Sequence, residues 1–336
     1  MFFNMNSNKM FFFFMLFFST FISISSNSWL GCWIGLEINL LSFIPLISNT
    51  KNLLSSEAAL KYFLTQSIAS INFLFMILMK MLLLKNFEFN NLISILINSS
   101  LLMKMGSAPF HFWFPNIIEG LSWFNCFILM TWQKISPMIL LSYYMNINFM
   151  MIIMIFNVII GSIGSMNQTS LRKLMSFSSI NNLGWMLAAL MISENLWLFY
   201  LLLYSFLISI MCFMFNNLNM YMINQLFSIN MNMFIKIFLF INFLSLGGLP
   251  PFLGFFPKWI IINFLIINKM NIMFIFIMMS LIMLYVYFRI IYFTILFNHL
   301  KMKWLKIFIK NKLILLINIF SMISLMGMII STFFFY

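Results

Sequence analysis

Apolar stretches of about twenty residues, separated by short polar connections, run through the whole chain and restrict what it can fold into. A helix rises 1.5 Å per residue, so about 20 residues cross the roughly 30 Å hydrocarbon core of a bilayer. The sequence therefore predicts an all-α integral membrane protein with eleven transmembrane helices in a single polytopic domain, 1–336. The spans are expected at about 8–25, 29–47, 57–84, 90–108, 121–144, 147–166, 172–192, 195–216, 233–267, 271–298 and 313–335.

The scarcity of charge excludes the other broad classes of protein. Only 7% of the residues are charged and 64% are apolar, whereas soluble domains carry about 25% charged residues. Intrinsic disorder is excluded because so much apolar surface must be buried. The net charge of +13 comes from cations that stand singly between apolar stretches, so it predicts retention of loops on one side of a membrane and no nucleic-acid partner.

The cysteines and histidines do not form the pattern of a metal or redox centre. Cys32, Cys126 and Cys212 lie far apart in the sequence, and His111 and His299 are the only imidazoles. Iron–sulfur, zinc and multi-haem sites need several such ligands. We therefore expect no redox centre and no metal site in this chain.

The distribution of cations predicts the orientation in the membrane. Three cations (Lys80, Lys85 and Lys269) fall on the side opposite the N-terminus, and ten fall on its own side. By the positive-inside rule the N-terminus faces the matrix or cytoplasm, and with an odd number of spans Tyr336 faces the other way. The ten are Lys9, Lys51, Arg172, Lys173, Lys236, Lys301, Lys303, Lys306, Lys310 and Lys312.

Two predicted spans contain glycine and proline where an ordinary membrane helix would continue. The fourth runs into Gly106-Ser-Ala-Pro109-Phe-His111-Phe-Trp-Phe-Pro115, and the ninth contains Leu246-Gly-Gly-Leu-Pro-Pro251 followed by Gly254 and Pro257. Such residues free main-chain carbonyls, which survive at membrane depth only beside protein or a wet cavity. Two discontinuous helices are typical of an ion or substrate pathway. The alternative is a pair of kinks that only shape the packing.

Four ionisable residues are expected deep inside the predicted spans: Glu37, Lys104, Lys134 and Lys258. Each such group costs at least about 2.5–3.5 kcal/mol at mid-bilayer, so its presence needs a reason. A desolvated lysine can release and regain a proton, whereas arginine stays charged. We interpret the four as proton-transfer residues. The alternative is a set of static structural ion pairs.

Two further residues are secondary candidates for the pathway. Lys61 lies near the end of the third predicted span, where snorkelling to the interface is the alternative. His111 stands beside the first break, where a packing or helix-terminus role is the alternative. Lys80 and Arg289 are expected to snorkel or to pair at helix ends.

Five motifs stand in order along residues 28–260: Ser28-Trp-Leu-Gly-Cys-Trp-Ile-Gly-Leu-Glu-Ile-Asn39, Glu57-Ala-Ala-Leu-Lys-Tyr-Phe-Leu-Thr-Gln66, Ala108-Pro-Phe-His-Phe-Trp-Phe-Pro115, Gln168-Thr-Ser-Leu-Arg-Lys173 and Ser245-Leu-Gly-Gly-Leu-Pro-Pro-Phe-Leu-Gly-Phe-Phe-Pro-Lys-Trp259. These motifs resemble the NADH dehydrogenase subunit 2 family of mitochondrial respiratory complex I, and the phenylalanine-rich composition resembles that of insect members.

The resemblance implies an antiporter-like fold of two inverted five-helix repeats, each with a broken helix. It also implies proton-transfer roles that fall on Glu37, Lys104, Lys134 and Lys258. The chain would be a core subunit of H⁺-translocating NADH:ubiquinone oxidoreductase in the mitochondrial inner membrane.

The resemblance further implies that NAD, FMN, iron–sulfur clusters and ubiquinone are bound by other subunits, and that this chain carries no cofactor. The implied partners are neighbouring antiporter-like and small membrane subunits, with lipids such as cardiolipin. Two alternatives stay open: a stand-alone or Mrp-type cation/proton antiporter, and a structural scaffold.

Overall fold

The computed structural model describes residues 7–49, 52–82, 87–228, 233–296 and 318–327, and these are almost entirely helical. An isolated bridge between Ser170 and Met222 is the only β-type pairing within those ranges. The helices are α1 (Ser7–Ser25), α2 (Trp29–Ile47), α3 (Leu53–Leu82), α4 (Phe87–Met105), α5 (Trp113–Gly120), α6 (Trp123–Met130), α7 (Ile135–Tyr143), α8 (Ile147–Ser165), α9 (Leu171–Ile192), α10 (Glu194–Asn217), α11 (Ile223–Ser228), α12 (Met233–Gly247), α13 (Phe255–Asn268), α14 (Met270–Leu296) and α15 (Asn318–Gly327).

Eight helical segments of the described chain are long and apolar enough to cross a membrane. They are α1, α2, α3, α8, α9, α10, α14 and the combined segment Trp123–Tyr143. The predicted all-α membrane class is therefore confirmed, and the total of eleven spans stays a prediction. Lys51, Lys85, the basic segment 301–312 and most of the last predicted span lie outside the described residues.

Met1–Ile153 form the first of two compact units. Three uninterrupted helices, α1 to α3, precede the pair α4 and α5 and then the pair α6 and α7. Helices α1 and α2 pack closely because Gly35 has no side chain: a Cβ there would lie 2.7 Å from the main-chain nitrogen of Ser23. Ser28 starts α2 by accepting a hydrogen bond from the Gly31 amide at 3.2 Å.

Met154–Tyr336 form the second unit, and α9 is its most buried helix. Ser170 caps α9 by accepting from the amide of Lys173 at 3.4 Å. Gly161 and Gly184 allow α8 and α9 to approach, since a Cβ on Gly161 would lie 2.6 Å from the Asn181 nitrogen. Helix α9 also contacts α10 and α13. The prediction of one polytopic domain is not tested by this division and stays a prediction.

Replacing Gly35 by valine is expected to destabilise the packing of α1 on α2, because the added methyl groups meet main-chain atoms of Ser23 that cannot move aside. Such overpacking costs about 1–3 kcal/mol. The measurement is the thermal midpoint of the detergent-purified protein. Ile34→Val is the matched control, since Ile34 is exposed on the same helix. An unchanged midpoint for Gly35→Val would contradict the close approach.

Candidate functional site

Helix α4 ends in a left-handed glycine turn one residue after Met105. Gly106 has φ +70°, and a Cβ there would lie 2.9 Å from Cβ of Phe114. The Ser107 amide donates to the Leu102 carbonyl at 3.1 Å, and the Gly106 amide donates to Met103 at 3.2 Å. This pair of bonds is the Schellman arrangement that ends many helices. The next helix, α5, begins only at Trp113.

Side chains bind the carbonyl groups that the end of α4 leaves without helical donors. The Ser107 hydroxyl donates to Leu102 at 3.0 Å, and Nε1 of Trp113 donates to Met103 at 3.2 Å. Nε2 of Gln66, on α3, donates to the carbonyl of Lys104 at 3.1 Å. Three of the carbonyl groups near the end of α4 therefore have donors inside the protein.

Lys104 lies in the last turn of α4 and is 7% exposed. The carbonyl end of a helix carries partial negative charge, which favours a cation at that position. The end of α4 therefore stabilises a buried ammonium group without a direct carboxylate partner.

Lys134 is 1% exposed and lies where the predicted fifth span departs from a regular helix. Helix α6 ends at Met130, a 3₁₀ turn covers Trp132–Lys134, and α7 begins at Ile135. Pro137 has no N–H to donate to the carbonyl four residues before it, which explains an irregularity here. The span expected at 121–144 as one helix is therefore two helices joined by a turn that carries the lysine.

A small cavity, with room for about one water molecule, brings Lys104 and Lys134 to one site. A neighbouring small cavity continues from Lys104 toward α2. Tyr62, Lys104 and Gln133 line both. The remaining lining residues are Met105, Trp113, Phe114, Leu129 and Lys134 in the first cavity, and Leu36, Asn39, Leu40, Gln66, Ser136 and Pro137 in the second.

Glu37 lies on α2 beside this pair of cavities. It is partly buried and interacts electrostatically with Lys104, although no direct ion pair within 4 Å joins the two residues. Two residues further along α2, the carbonyl oxygen of the Asn39 side chain accepts a hydrogen bond from Gln133 at 2.8 Å. The carboxylate can therefore act on the lysine through space, while amides connect α2 to the turn that holds Lys134.

Lys258 belongs to the second unit, and its ammonium group binds the end of α12. Its Nζ donates to the Gly247 carbonyl at 2.9 Å and lies 5.8 Å from the ring centre of Trp185. Helix α12 ends as α4 does: Gly248 has φ +84°, and the Leu249 amide donates to Leu244 at 3.3 Å. A buried lysine thus again lies at the negative end of a helix that stops at a glycine.

A small cavity adjoins Lys258. It lies among α9, α10, the end of α12 and the start of α13. Asn182, Tyr200 and Tyr204 supply its polar groups beside the lysine. The other lining residues are Leu203, Leu207, Leu246, Gly254 and Pro257.

The two secondary candidates differ from the four main ones. Lys61 is exposed, and its Nζ lies 3.9 Å from Glu57 one helical turn earlier. His111 is buried beside the first break, with Nδ1 3.3 Å from the Pro109 carbonyl and its ring 4.3 Å from that of Phe112. Neither lines the three cavities described above.

Three other cations lie outside these three cavities. Lys80 lies 3.8 Å from the ring centre of Tyr144, so an aromatic contact holds it rather than snorkelling alone. Arg289 donates to the Met166 carbonyl. Lys236, counted above with the loop cations, lies inside α12 and is 4% exposed.

Uncharged polar residues complete both sites, and the pattern of charges in the sequence does not reveal them. In the first unit these are Tyr62, Gln66 and Gln133, and in the second Tyr200 and Tyr204. A signal existed: each tyrosine-containing pair is four residues apart, so Tyr62 with Gln66 and Tyr200 with Tyr204 lie on one face of a helix. Polar pairs of this kind cannot be recognised as part of a site from the sequence alone, because the sequence does not show which face of each helix is buried.

Potential metal-binding side chains do not cluster in the described ranges. No group of three or more His, Cys, Asp and Glu is found there. Cys32, Cys126 and Cys212 are buried free thiols.

Comparison with known proteins identifies the family of this chain. Residues 26–284 match the family described as NADH:quinone oxidoreductase/Mrp antiporter, TM. The chain is 59% identical to NADH-ubiquinone oxidoreductase chain 2 of Anopheles gambiae over 253 residues, 74% of each protein. It is 45% identical to the protein of that name from Locusta migratoria over 328 residues, 96% of each.

The fold also matches a solved structure. A chain of respiratory complex I from Thermus thermophilus, solved with bound aureothin, superposes with a TM-score of 0.83 at 20% identity, covering 97% of this chain and 79% of that one. The resemblance that the motifs indicate is confirmed. The chain belongs to the NADH:quinone oxidoreductase/Mrp antiporter family of membrane proteins, and within it to the group of NADH-ubiquinone oxidoreductase chain 2.

Proposed function

We propose that this chain is a proton-translocating membrane-arm subunit of NADH:ubiquinone oxidoreductase, respiratory complex I. The observation that carries the proposal is the cavity shared by Lys104 and Lys134, two buried amines beside a broken helix. Names of close relatives support the assignment to this complex. The proposed relay residues are Glu37, Lys104, Lys134 and Lys258.

Proton transfer in the first unit would use water between the two lysines. A Lys104 ammonium group releases a proton to water in the shared cavity, and the neutral amine of Lys134 takes up a proton from that water. Glu37 would control the step, because its negative charge favours the charged form of Lys104. Gln133 and Tyr62, which line both cavities, can donate and accept hydrogen bonds along the path.

Lys258 would serve the second unit by exchanging a proton with one membrane surface through water. Its bond to the Gly247 carbonyl favours the ammonium form. Loss of the proton removes the charge from the donor and weakens this bond to the end of α12. A change of charge on Lys258 can therefore be linked to a small movement at the helix break.

We also propose the helix arrangement that the resemblance to this family implies. Helices α4 and α5 form one discontinuous span, and α12 and α13 form another, within two inverted five-helix repeats and eleven spans in total. The N-terminus would face the matrix of a mitochondrion and the C-terminus the intermembrane space, because the cations predominate on the N-terminal side.

Electron transfer would take place elsewhere in the complex. We propose that NAD, FMN, iron–sulfur clusters and ubiquinone are bound by other subunits and that this chain carries no redox centre. Its partners would be neighbouring antiporter-like and small membrane subunits, together with lipids such as cardiolipin. The exposed apolar faces of α1 and α3 would contact the acyl chains of such lipids.

Replacing Lys134 by methionine is expected to lower NADH-driven proton pumping. Methionine fills a similar volume but cannot carry a proton, and a proton-transfer group typically contributes about 10²-fold or more. The measurement is proton uptake by proteoliposomes that contain the assembled complex, normalised to the amount of complex. Unchanged pumping and turnover would contradict the role of Lys134.

Lys61→Met is the matched control for this variant. Lys61 is exposed and lies outside the shared cavity, so its loss is expected to leave pumping close to that of the unaltered complex. If Lys134→Met instead prevents assembly while the few complexes that form pump normally, the lysine is a structural ion and the scaffold alternative is favoured.

A stand-alone or Mrp-type cation/proton antiporter is the second candidate function, because the matching family includes Mrp antiporters. The two candidates differ in their dependence on sodium and on NADH. We expect proton pumping by the complex to be the same when all Na⁺ is replaced by K⁺, and to stop without NADH. Sodium-dependent proton exchange by the purified chain alone in liposomes would favour the antiporter instead.

A further inference from the structure

Three buried tyrosines surround the serine- and asparagine-rich face of α9 in the second unit. Tyr200 and Tyr204 come from α10 and Tyr287 from α14, and each is at most 4% exposed. The function proposed above assigns no role to them. A phenylalanine would fill nearly the same volume, and this chain has 46 of those, so the three buried hydroxyl groups need a reason.

Each hydroxyl group lies near a polar side chain of α9. Tyr200 donates to the side-chain oxygen of Asn182 at 2.9 Å. Tyr204 lies near Ser179, and Tyr287 lies near Ser178. Tyr204 also lies near both other tyrosines.

The spacing of these pairs forms a ladder between α9 and α10. Tyr200 and Tyr204 are four residues apart, which is a rise of about 6 Å along a helix. The partners on α9, Asn182 and Ser179, are three residues apart and run in the opposite direction. One or two water molecules can bridge a gap of this size between hydroxyl groups.

The ladder reaches Lys258 through the cavity of the second unit. Asn182, Tyr200, Tyr204 and Lys258 all line it. Tyr287 lies at the other side of the same helix break, because a Cβ on Gly247 would come within 3.2 Å of its ring. The lysine is thus bordered by hydroxyl groups and an amide.

Hydroxyl groups have the chemistry that an amine needs for proton exchange in such surroundings. A tyrosine hydroxyl both donates and accepts hydrogen bonds, so it can take a proton on its oxygen while releasing its own hydrogen. An asparagine amide does not readily do so, but it can orient the hydroxyl that donates to it. Because Tyr200 donates to Asn182, its oxygen lone pairs are left for a donor in the cavity.

We propose that Tyr200, oriented by Asn182, and Tyr204 are the proton-exchange partners of Lys258. The Lys258 ammonium group gives one proton to cavity water, and that water passes a proton to a tyrosine oxygen. The tyrosine hydroxyl then turns and gives its original hydrogen to a second water molecule. The amine becomes neutral, the tyrosine is unchanged, and one proton has moved along the ladder. Asn182 is a positioning residue in this scheme.

The test compares Tyr200→Phe, Tyr204→Phe and the double variant in the assembled complex. We expect each single change to lower the NADH-coupled pumping rate severalfold and the double change about tenfold or more, since a positioned proton-transfer group typically contributes at least about 10²-fold and the two hydroxyls can partly replace each other. The measurement is proton pumping by proteoliposomes per assembled complex. The solvent deuterium isotope effect on pumping should increase in the single variants.

Tyr285→Phe is the matched control, because Tyr285 lies two residues before Tyr287 on α14 and is exposed. It should pump like the unaltered complex. If the double variant does not assemble, the two single variants decide the result through their pumping rate and isotope effect. Normal pumping and an unchanged isotope effect in both single variants would overturn the proposal.

This inference rests on the proton-translocating role of Lys258, and the variant Lys258→Met distinguishes a failure of that role from a failure of the tyrosine proposal. If Lys258→Met abolishes pumping while both tyrosine variants pump normally, only the tyrosine proposal is wrong. If Lys258→Met itself pumps normally, the role of Lys258 is wrong and the tyrosine proposal falls with it.

Discussion

The need to satisfy every main-chain polar group away from water governs both sites of this protein. A membrane helix that stops early leaves carbonyl groups without donors, and each would be costly beside lipid. Here Ser107, Trp113 and Gln66 bind the carbonyls at the end of α4, and Lys258 binds the last carbonyl of α12. The breaks and the buried polar side chains therefore depend on each other.

The same arrangement explains why buried lysines are tolerated. Removing an ammonium group from water is unfavourable, and a direct carboxylate partner would hold it charged permanently. In this chain the negative ends of α4 and α12 provide a weaker attraction at Lys104 and Lys258. Glu37 acts on Lys104 without a direct ion pair. A lysine held by partial charges can change its charge state more readily than one locked to a carboxylate, and this is what proton transfer requires.

Much of this could be predicted from the sequence, because a bilayer imposes simple rules. The length of the apolar stretches indicated the helical membrane class, and the positions of Gly106, Gly248 and the prolines indicated where helices stop. The cost of a buried charge singled out four residues, of which the three lysines are buried and Glu37 is partly buried. These features depend on single residues whose physical consequences are large.

What the sequence could not provide is the direction in which uncharged polar residues face. Gln133 and Tyr200 belong to helices rich in apolar residues, and their roles depend on which helix packs against which face. The burial of Lys236 could not be predicted for the same reason. Lys236 lies only three residues into the predicted span that begins at 233, so it was expected among the cations on the N-terminal side, yet packing within the second unit buries it. A charge is informative by itself because lipid penalises it everywhere, whereas a hydroxyl or amide becomes informative only when its neighbours are known. The tyrosine ladder could therefore be inferred only from the packed helices.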